Sequence, residues 1–206
     1  MVSDPDPGPP SSGVAGWRRD ATRIDIALYA AIARTPTPVL DGAMARLSHA
    51  ADYSRLSLTS ATVLAATAGR PGRRAAAHGL TAVGVAASVV NLVAKPLGGR
   101  RRPDRVGERV PLARHVPMPA STSFPSGHAA TAFAFAAGVG HVLPPAAIPL
   151  HALAALVAYS RVHTGVHYPG DVVAGALIGT VLAQVTTHVL DARLGRRGTR
   201  SVWVAE

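Results

Sequence analysis

The chain has 206 residues, a formal net charge of +10, 48% hydrophobic and only 16% charged residues, and no cysteine. That length suits one domain with a sizeable core, and the missing cysteines exclude a disulfide framework, thiolate chemistry and a cysteine zinc site. Half of the net charge lies between Lys95 and Arg114, where seven basic residues face Asp104 and Glu108 without interleaved aromatics; this distribution suits a small anionic group and argues against nucleic acid.

In chain order, residues 1–20 read as a disordered tail, because Met1 to Gly16 is rich in Pro, Gly, Ser and Asp. The tail has neither the basic start nor the apolar centre of a signal peptide. Ile24 to Ala33 forms a short amphipathic pattern ended by Thr35-Pro36-Thr37-Pro38, too short to span and suited to the membrane interface. Val39 to Ser54 carries Asp41, Arg46, His49 and Asp52 and leads into the first span. Long stretches without formal charge follow: Ala75 to Ala94, His115 to Ser160 broken at Pro144-Pro145, and Val172 to Leu190. Each supplies the ~20 apolar residues that cross a bilayer, and Leu56 to Gly69 is a shorter candidate.

Spans are therefore expected at 55–69, 74–95, 126–142, 145–161 and 170–190. The fold class is all-α: a multi-pass transmembrane helical bundle of about five spans plus an N-terminal interfacial helix. The membrane domain is drawn at 21–192 and a basic C-terminal tail at 193–206. A soluble protein with buried helices is the alternative, since aromatic content is only 4% and the interfacial belts are thin. Gly175 to Gly179 is a GxxxG pattern and Gly84 to Ser88 a small-xxx-small one, both suited to close helix contacts.

Alternating spans place Lys95, Ser126-Gly127-His128, Arg161 and His167 with Asp171 on one membrane face. Arg70, Arg73, Arg74 and the C-terminal arginines lie on the other, which the positive-inside rule assigns to the cytoplasm. The active face is then extracytoplasmic and the location the cell membrane.

The polar segments at these ends carry the chemistry. Lys95 is the only lysine beside twenty arginines, and a compact ammonium suits a phosphate oxygen. Lys95, Arg102 and Arg161 can surround a phosphate, the guanidinium forks adding paired hydrogen bonds. Pro103 holds Arg102 in extended chain. Arg100, Arg101, Arg105 and Arg109 read as solvated or lipid-headgroup charges. Ser126 and Gly127 stand where a loop becomes a helix, offering a hydroxyl and an approachable N–H to an anion, with a plain N-cap as the alternative. His128 can protonate a leaving alkoxide. His167 and Asp171 pair as an imidazole and the carboxylate that orients it, leaving one ring nitrogen free to attack phosphorus. His163 is a possible substrate contact, while His78, His141, His151 and His188 read as packing or interfacial residues.

Lys95 to Pro103 matches K-x6-R-P, Pro125 to His128 matches P-S-G-H, and Ser160 to Asp171 matches S-R-x5-H-x3-D. These three elements, in order, closely resemble the signature of the type 2 phosphatidic acid phosphatase family, which includes vanadium haloperoxidases and bacterial acid phosphatases. The resemblance covers Lys95 to Asp171. It implies a helical bundle with its site at one end and a hydrolysis that needs no metal and no cofactor. His167 would be the nucleophile of a phosphohistidine intermediate, Asp171 its orienter, and His128 the acid and then the base. Lys95, Arg102, Ser126, Gly127 and Arg161 would bind the phosphate. The implied partners are the bilayer and a lipid phosphate or diphosphate: phosphatidate, phosphatidylglycerophosphate or a polyprenyl phosphate. The arginine- and alanine-rich composition looks like that of a high-GC actinobacterium, where a polyprenyl-phosphoryl-sugar phosphate of wall synthesis is a further candidate. The competing readings are a vanadium-dependent haloperoxidase and a non-catalytic lipid-phosphate binder or transporter.

Overall fold

A computed structural model describes residues 13–202, without the side chains of residue 15 and residues 194–202. Of the tails expected at 1–20 and 193–206, residues 1–12 and 203–206 lie outside the described residues. Eight helices run through the described part: α1 Val14–Arg34, α2 Pro38–Ala50, α3 Arg55–Thr67, α4 Gly69–Val89, the single turn α5 Lys95–Gly98, α6 Gly127–Val142, α7 Ala147–His163 and α8 Pro169–Val202. A π-helical turn, Val90–Ala94, joins α4 to α5. Such turns occur often at functional positions, and this one delivers Lys95.

Two boundaries differ from expectation. Residues 14–20, placed in the tail, open α1, because the apolar stripe continues back through Ala21 and Trp17 to Val14 at helical spacing. The backbone of α8 continues past 192 to Val202, so the arginines from Arg193 to Arg200 stand on a helix. Pro38 opens α2 at its first turn, where a missing N–H costs nothing.

Among the described residues, three helical stretches are long and apolar enough to cross a bilayer: Gly69–Gly98, Pro144–His163 and Pro169–Arg193. The expected spans at 55–69 and 126–142 do form helices, but α3 has 13 residues and α6 has 16, which is short for a span. α6 is the centre of the bundle, packed against α4, α7 and α8. Its alanines bury completely with those of its neighbours: Ala82, Ala86, Ala134 and Ala183 form one cluster. Ala75, Val83, Phe135 and Val139 form another. The outer side of α8 carries Val173, Leu177, Val181 and Val185, all exposed and four residues apart, a stripe that suits hydrocarbon contact.

Close approach of α6 and α8 depends on the GxxxG glycines. A Cβ on Gly175 would collide with the Ser126 carbonyl oxygen, and one on Gly179 with that of Ala130. The second small-residue pattern works differently: Gly84 faces open space, and α4 meets α6 through Gly79, where a Cβ would meet Val139 and Phe135. Gly179→Ala is therefore expected to cost about 1–3 kcal/mol by overpacking, read as a lower melting temperature in detergent. Gly84→Ala, which meets nothing, should leave stability unchanged or raise it, because alanine is the better helix former. Equal melting temperatures for the two variants would refute this packing.

The end of the bundle opposite the polar loops gathers Arg74, His141 and Asp191; Arg74 Nη2 and His141 Nε2 each lie 2.7 Å from an Asp191 oxygen. His78 is buried beside them, its ring stacked on His141 at 6.0 Å. The packing reading of His78 and His141 thus gains a shared carboxylate.

Candidate active site

The local fold explains why distant motifs converge. α7 ends at His163, and the chain turns back through Gly165, at φ +70, so that Val166 and His167 both donate to the Arg161 carbonyl, at 3.1 and 3.2 Å. Arg161 and His167 are thereby brought to one end. Pro169 then opens α8, and Asp171 in its first turn accepts from the Tyr168 N–H at 2.9 Å. The Ser126 N–H donates to the Asp171 carbonyl at 2.9 Å, fixing the start of α6 against the start of α8. On the other side, Ser123 N–H donates to the Arg100 carbonyl at 2.8 Å and Thr122 Oγ1 to the Lys95 carbonyl at 3.1 Å. All three motif segments meet in this lacework.

His167 is buried between two sets of partners. Arg102 Nη1 lies 3.3 Å from its Nε2. A guanidinium only donates, so Nε2 is the ring's acceptor and Nδ1 holds the proton. Nδ1 faces Asp171 Oδ2 and Ser123 Oγ, each at 3.5 Å. That distance is long for a hydrogen bond. The Ser123 hydroxyl donates to Asp171 Oδ2. Burial above all, with the Arg102 guanidinium adding to it against the pull of Asp171, lowers the His167 pKa to about 4. The imidazole is therefore neutral over the ordinary pH range.

Arg102 is held by the carbonyls of Ser121 at 2.9 Å, Val166 at 2.8 Å and Thr122 at 3.3 Å. Lys95 Nζ donates to Ser121 Oγ at 3.0 Å, and Arg102 Nη2 reaches the same oxygen at 3.3 Å. Two cations thus converge on one serine. Arg161 is buried, donates to Ser48 Oγ, and keeps Nε without an acceptor among the described residues. Ser126 is fully buried and caps α6, accepting from Ala129 N–H at 3.4 Å. The cap reading therefore holds, and the hydroxyl hydrogen is left over for a second acceptor. Gly127 is close enough to Lys95 that a Cβ would lie 3.9 Å from Nζ.

His128 Nε2 lies 3.0 Å from Asp52 Oδ1, which stands 3.9 Å from Arg161 Nη1. Two cavities meet at His128. One, about 340 Å³, is lined by Asp52, Tyr53, Met118 and Arg161 among others, and the second, about 410 Å³, by Tyr53, Asn91, Lys95, Gly127 and Thr131 among others. Tyr53 and Ser54, which border the second, have φ of 55 and 57. This left-handed backbone is costly for residues other than glycine and tends to mark functional turns.

Two sequence expectations need correction. Arg100 and Arg105 are not surface charges. Arg105 is buried and donates to the Val116 carbonyl at 2.8 Å, and Arg100 Nη1 lies 2.9 Å from Asp171 Oδ1. Arg101 and Arg109 are exposed, as expected. His163 does not reach the cavities; it is buried with Nε2 3.1 Å from Asp41, which also pairs with the fully buried Arg114 at 2.8 Å. Sequence reasoning misses Ser48, Ser121 and Ser123, and it offers Asp52 only as one of several N-terminal residues, with Asp41, Arg46 and Arg55, that could line a lipid entry. Ser123 stood two residues before Pro125 in a polar loop, a usable hint, whereas Asp52 and Ser48 come from a half of the chain with no signature.

The fold and this end of the bundle define an all-helical membrane protein with cations and imidazoles gathered at one end of its apolar helices. The chain belongs to the PAP2 superfamily, whose family model matches residues 76–194. It is 33% identical over 124 residues to a lipid A 1-phosphatase of Rhizobium etli, covering 58% of this chain and 51% of that one. It is 36% identical over 156 residues to a decaprenylphosphoryl-5-phosphoribose phosphatase of Mycolicibacterium smegmatis, covering 73% of this chain and 78% of the relative. A transmembrane PAP2-type phosphatidylglycerolphosphate phosphatase of Bacillus subtilis superposes with a TM-score of 0.65 at 24% identity, over 84% of this chain and 87% of that one. The chain spans about half the length of the Rhizobium relative.

Proposed function

We propose that the protein is a metal-independent phosphatase that hydrolyses a lipid phosphate or diphosphate through a phosphohistidine at His167. The observation that carries this reading is an unprotonated Nε2 facing Arg102, with Asp171 behind Nδ1. Lys95, Arg102 and Arg161 take the phosphate with Ser126 and Gly127. Nε2 of His167 attacks phosphorus in line as the P–O bond to the lipid breaks, and His128 delivers a proton to the departing alkoxide. Burial and Arg161 lower the pKa of His128 to about 4; Asp52, 3.0 Å from its Nε2, together with the dianionic phosphate, favours the protonated form this step needs. The imidazolium that results is stabilised by Asp171. Water, deprotonated by His128, then cleaves the P–N bond and releases phosphate. The buried, unpartnered Nε of Arg161 supports the same cradle, since it leaves a donor for an oxyanion.

The finer membrane picture belongs to the same proposal. α3 and α6 complete about five spans with the three longer helices, α1 lies in the interface, and the site faces outward across the cell membrane. The mycobacterial relative favours a polyprenyl-phosphoryl-sugar phosphate, and the Rhizobium relative a glycolipid phosphate, among candidate substrates.

Phosphate release from a panel of phosphatidate, phosphatidylglycerophosphate and polyprenyl phosphates in detergent micelles tests the reading. Turnover is expected for at least one of them, unchanged by EDTA and competitively inhibited by vanadate. Activity that collapses in EDTA and returns with magnesium contradicts the mechanism. Vanadate-dependent bromide oxidation would move the assignment to a haloperoxidase.

A further inference from the structure

Asp171 is fully buried, yet its carboxylate is engaged beyond the imidazole it faces. Oδ2 accepts from Ser123 Oγ and Tyr168 N–H, and Oδ1 lies 2.9 Å from Arg100 Nη1. The same Nη1 reaches Asp25 Oδ2 at 2.7 Å, and Asp25 Oδ1 accepts from the Gly170 N–H at 2.7 Å. Arg100 also lies over the Tyr168 ring, its Cζ 3.9 Å from the centroid, a cation–π contact that adds to the hold on a guanidinium. One nitrogen thus bridges two carboxylates, one from α1 and one from α8. Both carboxylates and the guanidinium are largely shielded, with side-chain exposures of 12%, 0% and 24% for Asp25, Asp171 and Arg100. Shielding makes such pairs matter more than surface ion pairs do.

We propose that Asp25 and Arg100 are positioning residues for the nucleophile pair, setting how strongly Asp171 accepts the proton on His167. This rests on the reading of His167 and Asp171 as nucleophile and orienter. A carboxylate shared with a cation is a weaker acceptor than a free one. Arg100 therefore restrains Asp171, and Asp25 in turn draws part of Arg100 away from Asp171. The dyad is tuned by a residue on α1, outside the region of the family signature. The groups facing His167 are Arg102, Arg161, His128, Ser123 and Asp171; those facing Asp171 are Arg100, Arg102, Ser123, Tyr168 and His167. Asp25 and Arg100 are charged side chains that act on the imidazole through Asp171, beside the Tyr168 N–H.

The two ends of this arrangement carry opposite charge, so their removal should act with opposite sign. In Arg100→Gln the carboxylate of Asp171 accepts more strongly, the protonated imidazole is favoured, and the acid limb of kcat/KM moves to higher pH. In Asp25→Asn the guanidinium turns wholly to Asp171, and the limb moves to lower pH. Arg100→Lys keeps the charge and should leave the limb near its original position.

The experiment measures kcat/KM against pH for the full chain and these three variants on the fastest lipid phosphate of the panel, with His167→Ala as reference and melting temperatures recorded throughout. Oppositely displaced limbs with Arg100→Lys in between support the proposal. Coincident limbs in Arg100→Gln and Asp25→Asn overturn it, even if both variants melt earlier, because they then serve packing alone. Should Arg100→Gln fail to fold, Asp25→Asn, which keeps the cation on Asp171, carries the same readout. A fully active His167→Ala overturns both this proposal and the nucleophile reading, whereas an inactive one with unmoved limbs overturns the positioning role alone.

Discussion

His167→Ala should reduce phosphate release to the assay background, a loss on the order of 10⁶-fold of the kind seen when one member of a concerted nucleophilic unit is removed. The size follows from the geometry. Nε2 is the ring atom left with its lone pair, because Arg102 Nη1 stands 3.3 Å away and has nothing but donors to offer. No other imidazole at this end shares that arrangement: His128 presents Nε2 to Asp52. Lys95, Arg102 and Arg161 remain in the variant, so lipid phosphate should still bind, and competition against vanadate-sensitive binding would register this. The decisive measurement is a phosphoenzyme trap. Brief exposure to labelled substrate and denaturation at alkaline pH should leave an acid-labile phosphoryl group on the unsubstituted chain and none on the variant. Label retained by His167→Ala would assign the covalent step to a different residue.

Asp171→Asn should lower kcat by about 10⁴-fold, the cost known for an orienting aspartate turned into its amide. The carboxylate is surrounded by donors only: Arg100, Ser123, the Tyr168 N–H and the protonated Nδ1 of His167. An amide nitrogen must point its hydrogens at one of them, and a rotated imidazole that presents the wrong nitrogen is the easiest relief. The pH profile separates this from simple unfolding. His167 is held at about 4 mainly by burial, with Asp171 opposing that shift. A nucleophile with a lowered pKa stays competent at neutral pH and fails only as the pH drops through that value. Losing the opposing carboxylate lowers the pKa further, so the acid limb of the residual activity should move down. A limb displaced upward, or an unchanged kcat, would deny Asp171 its role.

Much of this was legible because the residues of the three motifs are short-range units. Arg161 and His167 are six apart across one turn, and His167 and Asp171 are four apart across the opening of a helix, so their mutual placement depends on local backbone geometry. The same holds for Ser126, Gly127 and His128 at the first turn of α6. Arginines were the weak point. Arg100, Arg101, Arg105, Arg109 and Arg114 look alike in a polar loop, yet Arg114 is fully buried on Asp41 and Arg101 is exposed. A buried guanidinium needs partners from elsewhere, and those partners, Asp25, Asp41 and the Val116 carbonyl, carry no pattern.

The order of residues alone determined that the chain is helical and apolar, that its cations and imidazoles fall at alternate helix ends, and that they can serve one anion, since periodicity and charge are properties of short stretches. Only the tertiary structure decided which arginines are buried, that Asp52 meets His128, and that α1 is linked to Asp171 through Asp25 and Arg100. The Asp25–Arg100, Arg100–Asp171 and Asp52–His128 contacts join residues 75, 71 and 76 positions apart. They exist because the Gly175 and Gly179 contacts draw α8 onto α6, and because the loop after Lys95 folds back over both.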